Sequence, residues 1–334
     1  EQAKALSNVE VLEGDVLLNI TGDSVARCCQ VDPVSLPARV NQHVCIIRPY
    51  RKKLDARFLK YFLLEPNQKE NLLTLASAGA TRNALTKGMV EELEIPQIDL
   101  AVQKSIAHIL GTLDDKIELN QKMNQTLEEI AKSIFKSWFV DFDPVRAKAK
   151  GRPTGLPPEI SDLFPDELVD SEIGEIPKGW ELTIVGKISS EEKLKVSKFF
   201  GEVKVLSAVS SGQLRLSEEY FTKQVFSKNI DNYYVVPKFS FAYNPSRINI
   251  GSIGLNLFNF SGAVSPVYSV FTLRDEMHWF FQEWLNLNST KNLIASLCSG
   301  SVRQSLKHSD MESIPLKVPP ISVLRKFNEI YELF

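Results

Sequence analysis

From Asp99 to Val140 the apolar positions recur at alternating spacings of four and three. Ile106, Leu110, Leu113, Ile117, Leu127, Ala131, Ile134 and Trp138 mark the stripe, and Asn120 and Asn124 occupy two places within it. That period predicts one long helix with a heptad seam, N-capped by Asp99 and stopped before Pro144. At about 1.5 Å per residue it runs roughly 60 Å, and its stripe needs a partner. Buried asparagines in such a seam fix its register at a cost in stability; the plainer reading has both facing solvent.

Before this helix the pattern is shorter. "VLEGDVLLNIT" and "HVCIIRPY" read as strands with turn punctuation. Helices follow at Asp55–Leu64 and Gln68–Ala76, then a small polar loop, "SAGATRNALTK", and the strand-like "EELEIP". After it, residues 141–178 lose all periodicity, fill with Pro, Gly and charge, and read as a linker. A second mixed stretch opens at "GWELTIVGKI". It holds the strand-like runs "NYYVVPKFSFAYNP", "NIGSIGLNLFNF" and "GAVSPVYSVFTL", a helix near Met277–Leu287 and another at Thr290–Cys298. The loop "CSGSVRQSLKH" comes next.

The two mixed stretches are copies of one another. "ARVNQHVCIIRPY" parallels "GAVSPVYSVFTLR", "RFLKYFLL" parallels "WFFQEWLN", and "LEIPQIDLAVQK" parallels "LKVPPISVLRK". Asp99 then matches Ser322, another good cap residue. A period of this size denotes a duplicated domain and not a solenoid. In this alignment "GDVLLN" falls opposite "KFSFAY", so the first copy lacks roughly the opening 45 residues of the second. The matching second helix is cut short, and the chain is expected to be a fragment at both ends.

Composition adds limits. Hydrophobic residues at 43% and charged residues at 24% are ordinary for a chain with sizeable cores. No apolar run is long enough for a membrane span, and no signal segment is visible. The four cysteines show no paired spacing, which fits a reducing, cytoplasmic setting. The net charge of −2 does not advertise nucleic-acid binding. Phosphate contact, however, needs a local basic surface and not a basic total. Much of the acid lies between Pro157 and Ile176, leaving the remainder net basic.

Several motifs in order now resemble one family. They are "KSIFKSWFVDFDPVRAKAKG", "SEIGEIPKGWE", "YNPSRINIGSIGL" and the paired loops "GATRNALT" and "GSVRQSL". The chain resembles the specificity (S) subunit of type I restriction-modification systems over nearly its whole length. The resemblance implies an α/β (α+β) fold, with two target-recognition domains of mixed strands and helices joined by a long coiled-coil helix. The expected divisions are a first domain at 1–98, spacer helix at 99–143, linker at 144–176, second domain at 177–320 and the start of a second spacer helix at 321–334.

The resemblance also implies partners: double-stranded DNA read as two half-sites, two methyltransferase subunits, and restriction subunits joining through the complex. The specificity subunit is not itself the catalyst. Self-association of two truncated chains is a further partner reading.

The residues themselves suit DNA. In the paired loops the candidates are Thr81, Arg82, Asn83 and Lys87 in one copy and Ser301, Arg303, Gln304 and Lys307 in the other, with Arg82 matching Arg303 and Asn83 matching Gln304. Arginine pairs with phosphate or guanine, amides read adenine edges, and small neighbours admit backbone to phosphate. Tyr243, Asn244, Ser246, Arg247 and Asn249 form a second candidate set, with Asn19, Thr21, Ser24 and Arg27 opposite them. The plain reading of each is a polar turn. Phe135, Trp138, Phe139 and Phe142 are either core packing or a surface for the methyltransferase subunits, and are assigned as partner-binding.

Other chemistries fail. "YNPS" lacks the second proline and aromatic of an amino-methyltransferase motif. "FPDELVDSEIGEIPK" has the wrong spacing for a nuclease. The histidines are scattered without ligand spacing, so no catalytic, metal or cofactor site is assigned. There is no P-loop. Two rivals stand beside the main reading: the specificity subunit of a fused methyltransferase-nuclease (type IIB-like) system, and a coiled-coil scaffold that binds only protein.

Overall fold

The computed structural model describes residues 9–77, 83–223, 225–298 and 304–333. The chain forms two compact units, Glu1–Met123 and Asn124–Phe334. Each mixes strands and helices, and one long helix begins in the first and ends in the second.

In the first unit, β1 (Val16–Asn19) lies between β2 (Cys28–Gln30) and β3 (Val44–Ile47), antiparallel to both. Strand alternation sends Val16 and Leu18 to one face. There they pack with Leu59 and Leu63 of α1 (Ala56–Leu64) and Leu72 and Ala76 of α2 (Pro66–Ser77). Asp55 caps α1, accepting from the Phe58 N–H at 3.0 Å. Thr86 caps the short α3 (Lys87–Glu91) in the same way. Asp15, buried beside β1, takes two bonds from Arg48 at 2.7 and 2.8 Å and one from the Leu12 N–H. Burial alone would raise its carboxyl pKa, but these donors hold it below the usual value.

Helix α4 spans Leu100–Phe135, about 54 Å of rise. Asp99 accepts from the Ala101 N–H at 2.8 Å, in its expected capping place. The heptad seam is not the face that packs on the first unit. That face is Gln103, Ala107 and Gly111, all buried. The Gln103 amide accepts from the Asp55 N–H and donates to the carbonyls of Lys53 and Ile98. Gly111 leaves room for Arg57, whose guanidinium would lie 2.4 Å from an added Cβ. Arg57 pairs with Asp115, and Lys60 and Tyr61 of α1 bond Asp114. These polar ties hold α1 against α4. The seam residues Leu110, Leu113 and Ile117 stay exposed, as do Asn120 and Asn124.

The main sheets of the second unit are built from β4 (Glu181–Ile184), β5 (Ser189–Glu191), β6 (Lys204–Val209), β7 (Gln213–Leu216), β8 (Tyr234–Val236), β9 (Phe241–Tyr243), β10 (Ile253–Leu255), β11 (Gly262–Val264), β12 (Ser269–Leu273) and β13 (Pro315–Val318). They form two four-stranded sheets, β7-β6-β11-β8 and β10-β9-β12-β5, and a β4–β13 pair. Helices α5 (His278–Asn286), α6 (Asn288–Leu297), α7 (His308–Glu312) and α8 (Ile321–Tyr331) complete it. Pro320 occupies the cap position of α8. Ser322, expected to be the cap, is inside the helix.

Three further expectations change. The strand expected at 91–96 does not form in the first unit. Its equivalent, β13, pairs with β4, which belongs to the stretch that the first copy lacks in the alignment. An isolated strand has no ladder to join.

The segment expected as a linker, 144–176, packs into the second unit. It carries a helix at Asp143–Ala149, and Val145, Ile160 and Phe164 are buried in the core. Leu168–Val169 pairs with Ile176–Pro177. Its prolines start short helices and do not mark a solvated tether.

The assigned docking surface of Phe135, Trp138, Phe139 and Phe142 is core instead, between 2% and 6% exposed. A π-helical turn at Lys136–Val140 ends α4, followed by Phe142 in a left-handed conformation with φ 55°. The extra residue in that turn re-aims the aromatics inward. Phe139 then meets Phe280 and Phe327 edge-on at 5.1 and 5.0 Å, Trp138 meets Phe164 at 5.1 Å and Phe142 meets Trp180 at 5.5 Å. Side chains so enclosed offer no surface to a partner.

Candidate nucleic-acid interface

In each unit the central strand runs into a turn held by the same hydrogen bonds. After β1, the Asn19 N–H donates to Arg27 O at 2.8 Å and the Val25 N–H to Gly22 O at 3.1 Å. After β9, the Asn244 N–H donates to Ser252 O at 3.0 Å and the Ile250 N–H to Arg247 O at 3.2 Å. The residue before the last strand takes positive φ both times, Ala26 at 65° and Gly251 at 88°. The strand entry repeats too, with Gly14 at 85° and Phe239 at 62°. This fixes the equivalence of the copies one position away from the sequence alignment: Gly14 corresponds to Phe239 and Asn19 to Asn244. Arg247 therefore stands at the place of Gly22, and Arg27 at that of Ser252.

The repeated loops come back to these turns. The Leu85 N–H donates to Ile20 O at 2.8 Å, and the Leu306 N–H to Pro245 O at 3.1 Å. Both leucines are buried anchors, 3% and 0% exposed. Gly22 N–H also donates to Asn83 O at 3.2 Å, and Asn249 Nδ2 to Gln304 Oε1 at 3.4 Å. The structure thus brings Thr21, Ser24 and Asn19 together with Asn83, and Ser246, Arg247 and Asn249 together with Gln304.

Arg27, Asn83, Lys87, Ser246, Arg247, Asn249, Gln304 and Lys307 are exposed. Asn19, Thr21, Ser24 and Asn244 are half-buried. Lys87 shares its charge with Glu91 at 3.4 Å. Thr81, Arg82, Ser301 and Arg303 lie outside the described residues.

Tyr243 does not belong to this surface. It is fully buried, its hydroxyl 3.5 Å from Leu306 O, and burial pushes its phenol up to about 12. Strand alternation turns it inward, where it supports the loop from below.

A third loop completes each cluster, and sequence reasoning missed it. Thr21 Oγ1 lies 2.7 Å from His43 Nδ1, and His43 Nε2 lies 3.4 Å from the Gln42 amide. Asn41 Oδ1 accepts from the His43 N–H, just as Ser265 Oγ accepts from the Val267 N–H in the other copy. The asparagine two residues ahead of His43 was the available signal, because its side chain closes a turn that presents the imidazole. Where the first unit shows His43, Thr21 and Asn83, the second shows Arg247, Asn249 and Gln304, with Arg27 and Ser246 exposed in their respective clusters. Beside them Ile250 and Val267 are 58% and 63% exposed. Donors, acceptors and small apolar groups are what base edges and thymine methyls require. Among the described residues no group of His, Cys, Asp and Glu could hold a metal ion, and no helix is long and apolar enough to cross a membrane.

The close seat of Gly251 gives one expectation. An added Cβ would lie 2.5 Å from Ser210 O, in a left-handed backbone. Gly251→Ala is expected to cost at least about 1–2 kcal/mol. Denaturant unfolding of the chain measures this.

Comparison with known proteins gives consistent matches. Residues 7–129 match the family described as Type I restriction modification DNA specificity domain. The chain is 36% identical over 154 residues to the Type I restriction enzyme HindI specificity subunit of Haemophilus influenzae, covering 46% of this chain and 34% of that protein. It is 27% identical over 290 residues to the Type I restriction enzyme MjaIX specificity subunit of Methanocaldococcus jannaschii, covering 81% and 61%. The chain therefore spans less than two thirds of either relative. A crystal structure of the type I restriction-modification system S subunit from M. genitalium shares the fold, with a TM-score of 0.54 at 17% identity over 97% of this chain and 76% of that one.

Proposed function

Since this chain carries a type I restriction modification DNA specificity domain and is related to type I specificity subunits, we propose that it recognises a bipartite site on double-stranded DNA, one half with each unit. The observation that carries this is that the two turn-and-loop clusters share their strand entry, turn closure and buried leucine anchor beneath different exposed side chains. A shared scaffold with different tips is what two reading heads for two different half-sites require.

The roles divide by chemistry. Arg82, Arg303 and Lys307 supply charge for phosphates or guanine. Asn83, Asn249 and Gln304 offer amides for adenine edges, and Thr21, Ser24 and Ser246 supply hydroxyls. The chain has no catalytic role in this reading: methyl transfer and cleavage belong to methyltransferase and restriction subunits that assemble on it. The exposed seam of α4 at Leu110, Leu113 and Ile117 supports a helical partner there. With the aromatic cluster buried, it is the better docking candidate.

Selection from random duplex pools by the complex reconstituted with its methyltransferase subunits tests the reading. Enrichment of two short motifs at a fixed gap is expected. Binding without enrichment would overturn sequence recognition, and no retention of duplex would leave the protein-only scaffold.

A further inference from the structure

Between β5 and β6 the second unit has a segment with no aligned counterpart in the first. It runs antiparallel along β8: Leu194 O accepts from the Val235 N–H, the Val196 N–H donates to Tyr233 O and the Ser197 N–H to Asp231 O. A 3-10 turn at Val196–Lys198 then ends it. Phe199 folds back over Gly201, where an added Cβ would lie 2.8 Å from the ring. Its neighbour Phe200 is left fully exposed, at 103% of the reference area.

A lone exposed apolar side chain is ordinary; what sets Phe200 apart is the pair of cations carried on the same turn. Lys195 and Lys198, both exposed, bracket the turn. Lys195 bonds only the neutral amide of Asn232, at 3.2 Å, and no ion pair to either lysine occurs among the described residues. The register places the turn at a particular end of the sheet. Tyr234 of β8 pairs with Val264, which leads directly into Ser265–Val267, the third loop of the candidate interface. Lys195 bridges Tyr234, and the segment continues past that end. The turn at Val196–Lys198 and the loop Ser265–Val267 therefore belong to the same end of the second unit, and Phe200 follows two residues after the turn, before the chain returns to Lys204 beside Gly262.

We propose that Phe200 is an apolar wedge that stacks on or between base pairs flanking the second half-site, while Lys195 and Lys198 hold the adjoining phosphates. This rests on the proposed DNA recognition. Apolar side chains on basic loops unstack base steps in this way and bend the duplex. A protein partner fits less well, because the cores of protein interfaces are depleted in lysine. The contact does not depend on base identity, so it adds affinity and geometry but no sequence preference.

The test uses the full chain in its complex with methyltransferase subunits, on duplexes carrying the selected site. Phe200→Ala is expected to weaken binding about tenfold while the selected bases stay the same. Lys198→Gln should reduce the slope of log affinity against log salt by about one. Phe200→Trp should retain affinity, and its added indole emission should be quenched by DNA. Unchanged affinity in Phe200→Ala overturns the inference. So does loss of methyltransferase subunits from that variant with DNA affinity intact, which would make the loop a protein contact. Failure of the unsubstituted complex to select any duplex overturns the DNA reading as well, and is thereby distinguishable.

Discussion

Phe139→Ala is expected to destabilise the second unit by about 3–5 kcal/mol, the usual cost of emptying an aromatic site in a packed core. The ring is 6% exposed and lies within 5.0–6.1 Å of five other rings: Phe135, Trp138, Trp180, Phe280 and Phe327. Such contacts add to the area term, because edge-on aromatic pairs gain beyond their burial. Collapse into the gap is limited, since the π-helical turn fixes the backbone on one side and α5 and α8 hold the other. Guanidinium unfolding followed through tryptophan emission reads this well, because all four tryptophans belong to this unit. A loss below about 1 kcal/mol would mean that the ring is not core, and would reinstate it as a surface for partners.

Arg247→Ala is expected to relax recognition of one half-site only. Arg247 is exposed, on the turn that Leu306 pins from below. A bidentate arginine to guanine is worth about 1–3 kcal/mol of discrimination. Selection from duplex pools should therefore show one position of one half-motif becoming degenerate, roughly ten- to a hundredfold. The other half-motif and the gap should not change, because the first unit does not contain this residue. Thermal stability should also stay constant, since the side chain is exposed and away from the cores. Parallel loss at both half-sites would instead point to a general phosphate contact or a folding defect.

How far the sequence discloses this chain depends on what kind of signal each element leaves. The long helix, α1, α5 and α6 left clear periodic traces and α2 a faint one, and the duplication is visible because entire segments recur. The linker reading failed because composition measures solvation poorly when the apolar residues are few but well placed: Val145, Ile160 and Phe164 suffice to anchor the segment. The missing strand at 91–96 reflects a partner strand elsewhere, which no local pattern can report.

At the interface, the amides and hydroxyls on turns were readable as candidates. Tyr243 was not separable from them, since strand phase decides whether it faces in or out and the phase is set by the ladder. The alignment slipped by one position for a similar reason: Phe239 takes a backbone conformation usually left to glycine, so residue identity hides the equivalence with Gly14. His43 was missed because its role comes from Thr21, which is distant in sequence but only 2.7 Å away.

One experiment bears on the central claim most directly: mapping methylated bases in cells expressing this chain with the proposed methyltransferase partners, with and without His43→Val. The account predicts a bipartite motif with a fixed gap, and a change confined to the half read by the first unit when imidazole is replaced by the residue type standing at Val267. Methylation at undivided sites, or a change in both halves together, would contradict two independent heads reading one duplex.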